Sequence, residues 1–110
     1  MGAAATFIRR DTSVEMILSE SMPAGLTPQL DFEITNKKLY DGDYLIMVTD
    51  GVLDALGQEN QETLMKEIIL QNGAYMPQEM SRAILEKVLH YSNYQVQDDM
   101  TILVAGIWKK

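Results

Sequence analysis

The sequence predicts an α+β domain: an antiparallel β-sheet with two consecutive helices packed on one face. Three observations lead there. The first half of the chain breaks into short apolar-rich runs separated by turn residues at hairpin spacing. Two successive segments between residues 62 and 89 then repeat apolar residues at helical spacing, with no strand between them. The chain finally returns to a nearly continuous apolar run at 100–108. Because strands and helices do not alternate, a doubly wound parallel sheet is disfavoured.

Taken in order, residues 5–10 and 13–18 read as strands joined by Asp11-Thr12. This hairpin offers Phe7, Ile8, Val14, Met16 and Leu18 as apolar side chains. SMPAGLTPQ is a connection, since its two prolines and one glycine cannot continue a ladder. Residues 31–35 alternate polar and apolar around Phe32 and Ile34, the pattern of a half-buried strand. A turn at Tyr40-Asp41-Gly42-Asp43 leads into 44–49, which is apolar at both parities and so reads as a covered interior strand. A short helix is expected after Asp50-Gly51. The 62–72 helix carries Leu64/Ile68 and Met65/Ile69 and stops near Gly73. Pro77 suits the first turn of a second helix striped by Met80/Ile84/Val88 and Leu85/Leu89. A polar loop, 92–99, precedes the last strand.

Composition narrows the chemistry. A chain of 110 residues makes at most one domain. It has no cysteine and a single histidine, His90, which excludes disulfides, thiolate metal sites and imidazole-rich zinc sites. A reducing, cytoplasmic compartment fits this usage. The net charge of −7 argues against nucleic acid or an anionic membrane as partner and is compatible with a hard cation. No apolar run reaches the roughly 18 residues of a membrane span. MGAAAT matches a myristoylation pattern, but the strand-like AATFIRR that follows argues against a lipidated arm, and Met1-Gly2 reads as a start placed on a truncated chain.

Two carboxylate positions stand out. Asp50 closes the 44–49 strand, and Asp98/Asp99 open the last one. If these strands are antiparallel neighbours, all three carboxylates meet at one rim. There they repel unless a cation lies between them. A divalent ion with oxygen ligands, Mg²⁺ or Mn²⁺, satisfies that arrangement. Asp-Gly is equally a common turn dipeptide, and Asp98 or Asp99 can simply open a turn. Spacing alone leaves both readings open.

The residues around these positions carry a resemblance. GDYLIMVTDGVLDAL (42–56) closely resembles the apolar strand, Ser/Thr-Asp-Gly, short-helix motif of the metal-dependent PPM (PP2C-type) protein phosphatases. QDDMTILVAGIW (97–108) resembles that family's last motif, Asp-Asn/Asp-x-Ser/Thr followed by an apolar strand. The upstream FIRR and SMPAGL stretches extend the similarity over nearly the whole chain, toward the sporulation-type members.

The resemblance implies the C-terminal portion of an α-β-β-α sandwich. It also implies a two-ion Mn²⁺ or Mg²⁺ site and hydrolysis of phosphoserine or phosphothreonine by metal-activated water. On this view Asp50 and Asp98 are metal ligands, while Gly51, Asp99, Thr49 and Thr101 support them. Gly51 lets the backbone turn tightly beside the ion, and the threonines orient carboxylates. No side chain is assigned a catalytic role beyond metal binding.

The sequence departs from the family in one respect. The family's further metal-binding Asp residues, in its first strands, have no counterpart before Asp41, so residues 1–110 are expected to be an incomplete domain. A phosphorylated anti-sigma-factor antagonist is the implied substrate, and the parent protein is expected to be membrane-anchored through a segment absent here. Unpaired sheet edges invite a homodimer. The alternatives are a non-catalytic interaction module on a phosphatase-like scaffold, and a generic antiparallel α+β domain with surface aspartates. Arg9-Arg10 is read as a solvated strand end, Trp108 as core, and Asp54 as ordinary helix surface.

Overall fold

The computed structural model describes residues 5–19, 38–57, 59–73, 76–96 and 98–108, with the side chains of residues 18 and 19 excepted. Among the described residues, four strands form one antiparallel sheet in the order β2-β1-β3-β4: β1 (Ala5–Arg10), β2 (Ser13–Ser19), β3 (Tyr44–Val48) and β4 (Ile102–Gly106). Three helices lie between β3 and β4: α1 (Asp50–Ala55), α2 (Gln61–Gln71) and α3 (Pro77–Tyr91). The expected α+β architecture is present, with the two long helices consecutive as anticipated. The strand expected at 31–35 lies outside the described residues.

Register decides which side chains meet. Ala5 pairs with Val48, Phe7 with Ile46, and in the next ladder Ile46 with Val104 and Val48 with Ile102. Side chains alternate across a strand, so these residues share one face. The helical stripes close on that face: Met65, Ile68 and Ile69 from α2, and Met80, Ile84 and Val88 from α3, join Ala5, Phe7, Ile46 and Val48 in one buried cluster. Val52 and Leu56 bring α1 into the same core. The other parity of β3 behaves differently. Leu45 and Met47 are only half-buried, so the strand is interior by pairing but fully covered on one face alone.

The sheet end away from Asp50 is held by a buried carboxylate. Asp43 is 1% exposed. Arg10 donates from Nε to Asp43 Oδ1 at 2.9 Å and from Nη2 to Oδ2 at 2.7 Å, a bidentate fork. The Tyr40 backbone N–H donates to Oδ2 at 2.8 Å, and the Arg10 guanidinium lies 4.5 Å from the Tyr40 ring centroid. Gly42, at φ +90°, makes the turn that brings these groups together. Arg9 is equally committed: its Nη1 donates to Ile69 O at 2.9 Å, near the C-terminus of α2, where helix carbonyls lack intrahelical donors. Neither arginine is the solvated strand end that the sequence suggests. Trp108 is 65% exposed rather than core, its ring lying near Gly106.

Arg10's hydrogen bonds, aided by the Tyr40 amide, hold the Asp43 carboxyl below its ordinary range despite the opposing effect of burial. A depressed native value contributes stability that is present above the unfolded carboxylate value of about 3.9 and lost as pH falls through the native one. Asp43→Asn should therefore lower the melting temperature at pH 7. Its gap from the parent chain should shrink below about pH 4, as both side chains become neutral. Thermal melts across pH 2–7 check this. Ile84→Ala, at a fully buried core position, should cost about 2–5 kcal/mol by denaturant titration at any of these pH values.

Candidate metal centre

The β3–β4 register runs from Tyr44 opposite Gly106 to Val48 opposite Ile102. One step further, the Thr49 N–H donates to Thr101 O at 3.2 Å, so the pairing persists to the rim. Asp50 then opens α1 in its first turn, where a carboxylate complements the helix N-terminus. Asp98 and Asp99 precede β4 on the same side of the ladder. Antiparallel pairing thus carries the strand-end carboxylates to one rim, as the sequence predicts, and all three are exposed.

What holds this rim together is main chain and hydroxyl. Thr49 Oγ1 accepts from the Thr101 N–H at 3.0 Å and donates to Asp99 O at 3.4 Å. Thr49 therefore ties β3 to the backbone entering β4; it does not bond to a carboxylate, which is the role the sequence suggested. Gly51 is buried within α1, and a Cβ built there would overlap the Asp99 carbonyl. Its φ lies outside the left-handed region. Glycine is needed here for close approach of helix to loop, not for the tight turn that the sequence reading expected. Asp98 Oδ1 accepts from the Asp99 N–H at 2.7 Å, which ties one carboxylate oxygen to the main chain.

Beside the rim lies a hollow of about 210 Å³ lined by Gly51, Asp54, Ser92, Gln95, Asp98 and Met100, among others. Asp54 was read as plain helix surface, yet it faces the same space as Asp98. Asp50, four residues earlier on α1, does not line this hollow. The loop side of the hollow is shaped by Asn93 and Tyr94, consecutive residues at φ 58° and 62° that turn the chain off α3. Tyr94 donates its hydroxyl to Glu86 Oε1 at 2.7 Å, which holds its phenol above the ordinary range and latches the loop to the helix. His90 meets the Tyr94 ring edge-on at 6.3 Å and is exposed at the end of α3.

The donor chemistry suits a hard cation: Asp50, Asp54 and Asp98 offer carboxylate oxygens, with no thiol or imidazole at the rim. Among the described residues no three His, Cys, Asp or Glu side chains converge closely enough to form a complete ligand set. The described residues by themselves therefore do not assemble a metal site.

Comparison with known proteins decides the family. The family model described as stage II sporulation protein E (SpoIIE) matches residues 1–108. The chain belongs to the SpoIIE family. Stage II sporulation protein E of Bacillus subtilis (strain 168) is 31% identical over 108 residues, covering 97% of this chain and 13% of that protein. Phosphoserine phosphatase RsbU of Bacillus subtilis (strain 168) is 20% identical over 100 residues, covering 89% of this chain and 30% of that protein. The solved phosphatase domain of the cell fate determinant SpoIIE from Bacillus subtilis, presoaked with Mn, superposes with a TM-score of 0.77 at 25% identity. It accounts for 99% of this chain, while the chain covers 49% of it. The chain thus spans about half of the solved SpoIIE domain and a smaller share of the curated relatives.

Gly51→Ala should push α1 away from the Asp99 carbonyl. The expected outcome is a destabilisation of about 1–3 kcal/mol, the usual size for overpacking, with the amide resonances of Thr49, Asp99 and Thr101 displaced in NMR spectra. An unshifted spectrum at those positions would show that the approach is looser than the geometry indicates.

Proposed function

We propose that this chain is the C-terminal portion of a PPM/PP2C-type phosphatase domain whose intact protein removes phosphate from phosphoserine or phosphothreonine in a Mn²⁺- or Mg²⁺-dependent reaction. The observation that carries the reading is the β3–β4 register, which puts Asp50 and Asp98 at one rim within the two motifs of the resemblance. Family membership and the likeness to a Mn-presoaked phosphatase domain support it. Coverage of about half of that domain supports the view that the remaining ligands belong to residues outside this chain.

In this reading Asp50 and Asp98 hold the metal. When bound, a divalent pair lowers the pKa of water and offsets charge on the phosphoryl oxygens. The chain's own residues do the rest. Thr49 locks the rim by tying β3 to Asp99 and Thr101. Gly51 lets α1 sit against the Asp99 carbonyl. Thr101 and Asp99 contribute through their backbone, and Asp54 faces the hollow in which a phosphorylated side chain has room to approach. A phosphorylated protein of the sigma-factor regulatory type, an anti-sigma-factor antagonist, is the proposed substrate, consistent with the SpoIIE and RsbU relatives. Among the described residues no helix is long and apolar enough to cross a membrane.

In the intact parent protein, Asp50→Asn and Asp98→Asn should each lower Mn²⁺-dependent phosphate release from a phosphoserine protein by about a thousandfold, since a lost ligand removes several kcal/mol of charge stabilisation. Unchanged turnover in both variants would favour a non-catalytic interaction module. The 110-residue chain alone should bind Mn²⁺ only weakly by isothermal calorimetry and release no phosphate from the same substrate.

A further inference from the structure

One wall of the hollow beside the rim is a single short piece of chain. Gly51, Asp54, Ala55 and Gly57 line it, from α1 and the turn that follows. A helix of six residues lies well below the length that is stable on its own, so its placement must come from contacts. Val52 and Leu56 are buried in the core, and Gly51 sits against the Asp99 carbonyl. The N–H groups of Leu56 and Gly57 close the last turn onto Leu53 O and Asp54 O. Gly57 then takes the chain into the left-handed region at φ +92°.

Among the described residues, the Gln61 side chain grips that end. Its Nε2 donates to Leu53 O at 3.0 Å and to Gly57 O at 2.6 Å. The two hydrogens of one amide thus bridge the last turn of α1 and the turn after it. Gln61 is half-buried and is the first residue of α2. α2 is itself well seated: Met65 and Ile69 are fully buried, and Arg9 of β1 donates to Ile69 O. Glutamate would suit the start of a helix better than glutamine. Only the amide can donate to both carbonyls.

We propose that Gln61 is a positioning residue for the hollow at the rim. Acting through Leu53 and Gly57, it holds the end of α1 and so sets the wall that carries Asp54, in a space that Asp98 also lines. Gln61 does not itself line that space, so its effect is transmitted through the main chain. The clamp rests on hydrogen bonds of the fold. Its consequence for turnover rests on the phosphatase reading, since a small misplacement of groups around a reacting phosphate is costly.

Two variants of the intact parent protein separate the clamp from the mere starting of α2. Gln61→Glu suits a helix start but presents only acceptors to the two carbonyls, whereas Gln61→Lys suits it less and returns the donors. The readouts are hydrogen exchange by mass spectrometry and kcat on a phosphoserine protein with Mn²⁺. In Gln61→Glu, amides across 50–57 should exchange roughly tenfold faster, while 62–71 and 80–88 stay as in the parent. Its kcat should fall about ten- to a hundredfold. Gln61→Lys should lie close to the parent in both. The opposite order, with lysine the worse variant, overturns the proposal, as does unchanged exchange across 50–57 or a rise spread equally over α2 and α3. Faster exchange with unaltered kcat, in a protein that Asp50→Asn inactivates, overturns the positioning role. If Asp50→Asn leaves turnover unchanged, the phosphatase reading fails, and the order of the two variants in exchange alone decides the clamp.

Discussion

The antiparallel β3–β4 ladder is the constraint on which the rest of this structure depends. Its two strands are separated in sequence by three helices, so nothing local dictates that they meet. Once Val48 pairs with Ile102, the residues beyond each strand have no freedom about which rim they reach. Asp50 and Asp98 share a rim because the register extends to Thr49 and Thr101. A slip of one residue would exchange the faces of β4, turning Leu103 and Ala105 into the core and Ile102 and Val104 out of it. Burial of Ile46, Val48, Val52, Ile84 and Val88 in one cluster makes that slip costly. The core therefore guards the geometry of the site.

The two ends of the ladder are secured by different chemistry. At the Asp50 end, a threonine hydroxyl and a glycine hold backbone to backbone, and the carboxylates stay exposed. At the other end, a carboxylate is buried and satisfied by Arg10 and the Tyr40 amide. A buried charge needs such partners, whereas carboxylates meant for a cation must remain open to it. The same residue type thus serves as a structural cross-link at position 43 and as a ligand candidate at positions 50 and 98. Environment makes the difference.

The overall architecture was legible because most elements declare themselves by period. The α2 and α3 stripes, the Pro77 start and the hairpin across Asp11-Thr12 all lie where the sequence puts them, within a residue or two. The strand-end aspartates were legible for the same reason. The reach of long side chains was not. Arg9 spans to Ile69 and Arg10 to Asp43, partners 60 and 33 residues away, and neither is signalled by neighbouring sequence. Trp108 looked like core by type, but it follows the end of β4 and is mostly exposed.

By itself, then, the sequence determined the elements, the acidic residues at two strand ends, and the motifs that mark the family. These are local properties, set by hydrophobic period, turn chemistry and residue order. Only the tertiary structure decided that Gly51 is required by the Asp99 carbonyl, that Thr49 acts on main chain, and that Asp54 looks onto the hollow beside Asp98. Each of these depends on a contact or a register between segments far apart in the chain, and such pairings are fixed by packing of the whole core.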